Sequence, residues 1–439
     1  MPNKVVLMRR VLVIALTLIA PGLLLAQAPT LDSTEKARAR EMLSTAKSAI
    51  KSTYYDKTFR GLDLDAHFKT ADAKLQSATS LGHAYAIIAQ ALLDFGDSHT
   101  FFIPPQRPAT YQYGWQMGIV GDECYVVGVK PGSDAEAKGV KPGDRVLQVG
   151  SFTPSRQELW KIRYLYHILS PRETMKVTLQ SPGGSPRALD IVAKVTREQT
   201  VVNISLDALI ESGPGAMSDP VVRVNKTSML ADISISKLST FDFSDKDVDK
   251  VVDDMLKTST SLILDLRGNG GGQVKTLEQL AGRLFDHDVK LADRVGRKAM
   301  KPMMAKARKN PFRGKIVVLI DADSASAAEI LARAIQIERR GIVIGDRSSG
   351  SVMQAEQGMG MLEGTEGVIP YGFSVTDADV ILTDGKSLEH VGVVPDEVVL
   401  WTPADLAAGR DPVLTRAVAI LGQTLDPVAA GKLFPVEWK

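Results

Sequence analysis

The sequence LILDLRGNGGG occupies residues 262–272 and joins an apolar stretch to a glycine-rich turn. The apolar residues Leu262–Leu266, interrupted only by Asp265, predict a strand. A helical pattern follows at once over Val274–Leu284. Strands and helices alternate in this way from Val201 onward, so the sequence predicts an α/β layer architecture for its C-terminal half. The other elements predicted there are the strands Met229–Ser236, Ile316–Ile320 and Ile342–Ile344 and the helix Ala327–Arg339.

Three consecutive glycines, Gly270–Gly272, expose backbone N–H groups that suit an anion or a developing oxyanion. The alternative is a sharp turn that needs positive φ at one of them. A phosphate-binding loop does not fit, because Val274 precedes Lys275 where that loop needs glycine. Asn269 also stands where the first glycine of such a loop belongs.

A second turn, DADSASAAE at residues 321–329, joins a predicted strand to a predicted helix. Ser326 and Glu329 have the spacing of a capping box, so a capping role is one interpretation of the serine. The other interpretation is catalytic, because a serine here has its Oγ beside the free N–H groups of a helix. The Ala327 amide would then help to hold an oxyanion.

The first half of the chain divides into two zones. Residues 32–105 have a helical pattern, with Leu81–Leu93 as its clearest helix. The zone 108–196 has short strands separated by Gly, Pro and Asp. Its predicted elements are the strands Cys124–Val129, Arg145–Val149 and Met175–Leu179 and a helical turn at Asp134–Lys138, stopped by Gly139.

Two motifs together resemble the C-terminal processing peptidases, also called tail-specific proteases. They are Asp265–Gly272 and Ser324–Ile330, and in the family's motif the nucleophile is the serine that here is Ser326. The preceding segment Ala135–Val146 resembles the latter half of a PDZ domain. The resemblance implies a ClpP/crotonase-like serine peptidase core with an inserted PDZ-like β domain and an N-terminal helical region. The implied organisation is a signal peptide at 1–28, the helical region at 32–105, the PDZ-like domain at 108–196 and the α/β peptidase core at 197–439.

The tail-specific members use a Ser–Lys dyad, but Ser351 stands where their lysine belongs. The segment Asp97–Thr100 instead resembles the Ser-His of the tricorn-like branch of the superfamily. Leu388–Asp396 matches the late segment that supplies the glutamate of that branch. The resemblance therefore implies a Ser-His-Glu arrangement in place of the dyad.

The roles that this resemblance implies are specific. His99 is the base for Ser326, Glu389 accepts the other ring N–H of His99, and Ser98 assists. His390 stays open as an alternative base. The oxyanion is assigned to the amide of Ala327 together with that of Gly271 or Gly272, and the peptide-binding strand to Gln116, Met117, Gly118 and Ile119.

The expected partners follow from the same resemblance. The PDZ-like domain is expected to take a peptide as an added strand and to hold its free C-terminal carboxylate. The substrate is therefore a protein or peptide with a free C-terminus. No metal or cofactor is implied, and a homo-oligomer is among the open oligomeric states.

Composition agrees with a soluble globular protein of two or three domains. The chain has 439 residues, of which 44% are hydrophobic and 24% charged, and its formal charge of +2 excludes a nucleic-acid binder. The one cysteine, Cys124, excludes an internal disulfide and a thiolate metal cluster.

The N-terminus has the pattern of a secretory signal peptide. Lys4, Arg9 and Arg10 precede the apolar run Val11–Ala26, and small residues follow at Ala26 and Ala28. A membrane anchor is the alternative, but the run is short for a span and is broken by Pro21-Gly22. The predicted location is periplasmic or secreted, without a stable membrane anchor once the signal is cleaved.

A basic segment adds one further open question. Residues 294–315 contain nine Lys or Arg residues and no acidic residue. A solvated loop is the first interpretation, and a basic flap or a patch for anionic polymers is the second. For the whole chain, the sequence favours a secreted serine endopeptidase. The alternative is a catalytically inactive PDZ-bearing peptide-binding protein on a peptidase scaffold.

Overall fold

A computed structural model describes residues 31–197, 225–243, 245–256, 259–364 and 367–438. The predicted signal peptide at 1–28 lies outside these residues.

The described residues form strands and helices in a mixed order. The strands are β1 (Phe101–Ile103), β2 (Ala109–Gln112), β3 (Trp115–Val120), β4 (Glu123–Val129), β5 (Arg145–Val149), β6 (Thr174–Gln180), β7 (Arg187–Val192), β8 (Lys194–Arg197), β9 (Lys226–Leu230), β10 (Ile233–Lys237), β11 (Ser261–Asp265), β12 (Val289–Gly296), β13 (Met303–Ala305), β14 (Lys315–Ile320), β15 (Ile342–Gly345), β16 (Met353–Gly364), β17 (Gly367–Leu382) and β18 (Glu397–Val398). The α-helices are α1 (Ser33–Thr53), α2 (Leu64–Gln76), α3 (Leu81–Leu93), α4 (Asp134–Ala137), α5 (Leu159–Arg163), α6 (Asp245–Leu256), α7 (Val274–Leu284), α8 (Ala327–Ile337), α9 (Pro403–Ala408), α10 (Pro412–Ile420) and α11 (Pro427–Gly431).

A six-stranded sheet in the order β18-β15-β14-β11-β10-β9 forms the centre of the C-terminal half. Its neighbours pair in parallel except β9, which is antiparallel to β10. Because side chains alternate along a strand, Leu262 and Leu264 face the helices α6, α7 and α8, while Ile263 and Val317 face α10. Helices therefore cover both faces of a largely parallel sheet, and the predicted α/β architecture is confirmed.

One predicted strand is wrong. Met229–Ser236 is not a single strand but spans the turn between β9 and β10. Ala231 adopts φ +50 and reverses the chain there. The apolar run hides this turn, because no glycine or proline marks it.

The helical region packs on a long hairpin of the core. Helices α1–α3 share a buried cluster with Tyr371, Phe373 and Val375 of β17. The strand β1 follows α3 and pairs with β17 in antiparallel register, with Phe102 opposite Phe373. This pairing brings the segment Asp97–Thr100, between α3 and β1, beside the core.

The zone predicted to be PDZ-like contains a separate antiparallel sheet in the order β3-β4-β5-β6-β7. Its own buried cluster includes Met117, Val126, Leu179 and Ile191. The short helix α4 ends before Gly139, which has φ +72, as the sequence predicts. The PDZ likeness and the domain boundaries stay predictions. Across the described ranges, no helix is long and apolar enough to cross a membrane.

Candidate active site

Two turns of the central sheet meet at the carboxyl end of its strands. They follow β11 and β14, which are parallel neighbours, so both turns leave the same end of the sheet. The Gly268 N–H donates to Asp321 Oδ1 over 2.9 Å, and the Ala325 N–H donates to the Asn269 carbonyl over 2.8 Å. The glycine turn and the serine turn therefore hold each other in place.

Gly271 lies directly beside Ser326. Its φ is +97, and a Cβ at this position would come 2.7 Å from the Ser326 Cβ. No side chain fits there, so this glycine permits the close approach of the two turns.

Ser326 adopts a backbone conformation that non-glycine residues rarely occupy, with φ +54 and ψ −117. Its N–H donates to the Ser351 carbonyl over 2.9 Å and to Glu329 Oε2 over 3.0 Å. Its Oγ lies 3.3 Å from Nε2 of His99. A strained serine at the start of a helix, with an imidazole beside its hydroxyl, has the arrangement of an activated nucleophile.

Ser324, two residues earlier, has a different environment. It is fully buried, and its hydroxyl donates to the Leu266 carbonyl over 2.8 Å. The same oxygen accepts the Asp321 N–H over 2.9 Å. Its bonds hold the turn together, so Ser326 and not Ser324 faces the histidine.

A continuous chain of hydrogen bonds runs from Ser326 to Glu389. His99 Nδ1 lies 2.7 Å from Ser98 Oγ, and that hydroxyl donates to Glu389 Oε2 over 2.9 Å. The Ser98 N–H also donates to Glu389 Oε1 over 2.7 Å. This direction of bonding assigns the ring hydrogen to Nδ1 and leaves Nε2 free to accept the Ser326 proton.

The contact between Glu389 and the ring differs from the sequence-based expectation. Glu389 was expected to accept the ring N–H directly, but the Ser98 hydroxyl lies between them. The reason is local: Ser98 precedes His99 in a tight turn, so its hydroxyl reaches Nδ1 first. The Val352 N–H donates to Glu389 Oε2 over 2.8 Å and holds the carboxylate from the other side.

Burial decides the protonation of His99. Loss of hydration lowers its pKa below the ordinary value of 6.5, while the charges of Glu389 and Asp97 act in the opposite direction. Because the lowering prevails, the ring is neutral at neutral pH. A neutral ring is the form that accepts a proton.

A buried carboxylate, Glu329, ties the serine turn to the loop that contains Ser348, Gly350 and Ser351. It accepts the Ser348 hydroxyl over 2.6 Å and the N–H groups of Gly350 and Ser351 over 2.8 and 2.9 Å. Burial raises the pKa of Glu329 to about 7, against the lowering effect of these bonds. The sequence indicated only its capping spacing, since its bonds to the later loop require the folded chain.

The predicted oxyanion groups differ in their availability. The Ala327 N–H lies at the start of α8, and no acceptor for it is found within the described residues. The Gly271 N–H instead donates to Asn269 Oδ1 over 2.8 Å, so that bond occupies it. Gly272 has φ +143, and a Cβ at this position would come 2.5 Å from Asp242 Oδ1 and 2.8 Å from the Phe241 carbonyl carbon.

The other histidines lie away from Ser326 in contacts of their own. His390 Nε2 lies 2.9 Å from the Gly96 carbonyl, and its side chain is 62% exposed. His67 Nε2 contacts the Ala91 carbonyl, and His167 packs its ring against Tyr113. His287 contacts Asp286. The geometry therefore favours His99 over His390 beside the serine.

The predicted peptide-binding residues Gln116–Ile119 lie on β3, at the edge of its sheet. Arg163 links this strand to the serine turn. Its guanidinium donates to the Met117 carbonyl and to both carboxylate oxygens of Asp323, the latter over 2.8 and 3.1 Å. No local sequence pattern indicates this contact, because it joins residues far apart in the chain.

The basic segment 294–315 contains the end of β12 and all of β13. Several of its cations pair with carboxylates outside the segment, such as Lys306 with Asp288 and Arg308 with Asp249. Among the residues that the structure describes, no group of three His, Cys, Asp or Glu side chains is placed to hold a metal ion.

Comparison with known proteins finds a matching peptidase family for part of the chain. Residues 232–399 match the sequence model of peptidase family S41. The chain is 25% identical over 270 residues to the tail-specific protease of Haemophilus influenzae, covering 58% of this chain and 36% of that protein. It is 23% identical over 417 residues to a putative tricorn protease homolog of Streptomyces coelicolor, covering 88% of this chain and 32% of that protein. The chain thus spans about a third of each of these relatives, and the resemblance to tail-specific proteases is confirmed.

The fold is shared with a solved structure. Mature CPAF superposes with a TM-score of 0.61 at 15% identity, over 85% of this chain and 95% of that one. The likeness supports the predicted peptidase-type fold.

Proposed function

We propose that this chain, a serine-type peptidase whose residues 232–399 belong to family S41, is an endopeptidase that cleaves peptide bonds of protein substrates. The observation that carries the proposal is the bonded chain from Ser326 through His99 and Ser98 to Glu389. His99 thus has the role of base that lysine has in a Ser–Lys dyad.

The first half of the reaction forms an acyl-enzyme. His99 Nε2 takes the Ser326 hydroxyl proton while Oγ attacks the carbonyl carbon of the substrate. The ring then carries both hydrogens, and its positive charge faces Glu389 through the Ser98 hydroxyl. His99 gives the proton to the leaving amine as the peptide C–N bond breaks.

The second half releases the product. A water molecule gives a proton to His99 and attacks the ester carbonyl, and Ser326 regains its proton as the ester bond breaks. The Ala327 N–H is the oxyanion donor that the geometry supports best, because it is adjacent to the nucleophile and has no acceptor among the described residues. A contribution from Gly271 would require its N–H to leave Asn269, and Gly272 remains the other predicted donor.

The substrate class rests on the edge strand β3. An extended C-terminal tail would add to the sheet along Gln116–Ile119, with its carboxylate held by loop amides. Arg163 occupies the Met117 carbonyl, so a bound tail would replace or rearrange that contact. The N-terminal segment 1–28 supports a periplasmic or secreted location.

Labelling with a serine-directed fluorophosphonate tests the peptidase. The full chain is expected to be modified at Ser326, as located by mass spectrometry, and Ser324→Ala is expected to retain labelling. Absence of labelling in a folded chain that still binds peptides would favour the inactive peptide-binding alternative.

The tail-binding mode has its own test in the Ser326→Ala chain, which does not consume its ligand. Peptides with a free C-terminus are expected to bind more tightly than the same peptides with an amidated end. Equal affinities would contradict carboxylate recognition.

A further inference from the structure

The turn before β1 contains a buried carboxylate that the reaction does not use. Asp97 is 4% exposed and precedes the Ser98-His99 pair. Its Oδ1 accepts the N–H groups of His99 and Thr100 over 3.0 and 2.8 Å. The backbone that carries the base is therefore bonded directly to this side chain.

The same carboxylate reaches two other parts of the fold. Its Oδ2 accepts the Tyr54 hydroxyl over 2.9 Å, at the end of α1, and its Oδ1 accepts the Thr376 hydroxyl of β17 over 2.6 Å. Tyr54, Thr100 and Thr376 are fully buried. Asp97 thus joins the helical region, the turn that carries His99 and the strand β17 at one point shielded from water.

These contacts matter for the distance between base and nucleophile. His99 comes from outside the residues that match the family, and its Nε2 lies 3.3 Å from Ser326 Oγ. The turn geometry contributes to that distance, because the ring is bonded to Ser98 of the same turn, which Glu389 holds from the other side. Within the described part of the chain, no hydrogen bond joins Asp97 to the imidazole or to Ser326.

We infer that Asp97 is a positioning residue: by holding the His99 and Thr100 N–H groups, it keeps the imidazole within reach of Ser326. The inference rests on the proposed function, since it gives Asp97 a role only if His99 is the base. A displacement of about 1 Å is enough to lower a catalysed rate by roughly 100-fold.

The experiment measures fluorophosphonate labelling of the full chain at saturating probe, as a rate constant and as a final extent. Asp97→Ala is expected to be labelled to full extent with a rate constant about 100-fold lower. Asp97→Asn is expected to stay within about threefold of the parent. Its amide oxygen can still accept the two turn N–H groups, and its NH₂ can face the Tyr54 and Thr100 hydroxyls. Tyr54→Phe is the matched control, because it removes a bond to the same carboxylate without touching the turn.

The outcomes separate positioning from stability. If Asp97 has only a structural role, Asp97→Ala is expected to lower the melting temperature and the final extent of labelling. The labelling rate constant of the molecules that remain folded would then stay unchanged. That result, or a loss in Asp97→Asn as large as in Asp97→Ala, overturns the inference. If Asp97→Ala does not fold, Asp97→Glu takes its place, since it keeps the carboxylate but displaces its oxygens by one methylene. A parent chain that is not labelled at Ser326 refutes the proposed function instead.

Discussion

The turn that carries Ser326 and the turn that carries His99 are each bonded to a buried carboxylate, Glu329 in one case and Asp97 in the other. Glu329 lies three residues after its serine on the same helix. The partners of Asp97 lie 43 residues before it, at Tyr54, and 279 residues after it, at Thr376. Glu329 also binds the loop at Ser348–Ser351, so the serine turn is held by its own helix and one later loop, whereas Asp97 links its turn to two parts of the chain much farther away.

Ser326 and His99 also differ in whether they lie in the segment that matches the family model. The matched residues 232–399 include Ser326 and Glu389 but not Ser98 or His99. Ser326 therefore lies in the segment that matches the family, whereas the position of His99 depends on the docking of the helical region. Changes in the two turns are expected to have distinguishable effects.

The largest expected effect is at the serine turn. Ser326→Ala is expected to lower hydrolysis of a flexible protein substrate by about 10⁴–10⁶-fold, because no other group replaces the nucleophile. Ser324→Ala serves as its control. It is expected to lower the free energy of unfolding by about 1–3 kcal/mol while the folded enzyme stays active. An inactive, folded Ser324→Ala beside an active Ser326→Ala would assign the nucleophile to Ser324.

The next effect is at the end of the bonded chain. Glu389→Gln is expected to lower kcat by about 10²–10⁴-fold, because an amide cannot accept from Ser98 and Val352 as the carboxylate does. His390→Ala is the neighbouring control and is expected to change kcat less than about threefold. Steady-state kinetics measure kcat for both variants. A large loss of kcat in His390→Ala would indicate that His390 is the base.

A smaller effect is expected from the carboxylate of the serine turn. Glu329→Ala leaves the N–H groups of Gly350 and Ser351 without their acceptor. We expect a lower melting temperature and a rate about 10–100-fold lower, as the turn shifts. Ser348→Ala removes only one donor and should change both quantities less. Equal effects of the two variants would contradict a role for the Glu329 bonds to Gly350 and Ser351 in holding the serine turn.

The smallest expected effect is in the pH profile of kcat/KM. His99 must be neutral to accept a proton, and burial lowers its pKa below 6.5. A lowered pKa keeps the ring neutral to lower pH, so the acid limb is expected to have its midpoint below 6.5. A profile that keeps rising into the alkaline range would contradict a histidine base and point to a lysine.

The two turns also differ in how far the sequence predicted them. The glycine turn, the serine turn and the helix Val274–Leu284 follow from local patterns, and all three have the predicted form. The Met229–Ser236 strand was wrong because its turn at Ala231 lacks a local signal. The sequence named Ser98, His99 and Glu389 only through resemblance, and it did not indicate that the Ser98 hydroxyl lies between His99 and Glu389.

The sequence by itself determined the elements and the motifs, because apolar periodicity, capping residues and glycines act over a few neighbouring residues. It therefore indicated the α/β core and Ser326. Only the tertiary structure decided which histidine faces the serine, how Ser98 connects it to Glu389, and what holds that turn. Those contacts join residues hundreds of positions apart, and the packing of the helices against β17 brings them together. Such packing depends on the whole core, so no short stretch of sequence contains it.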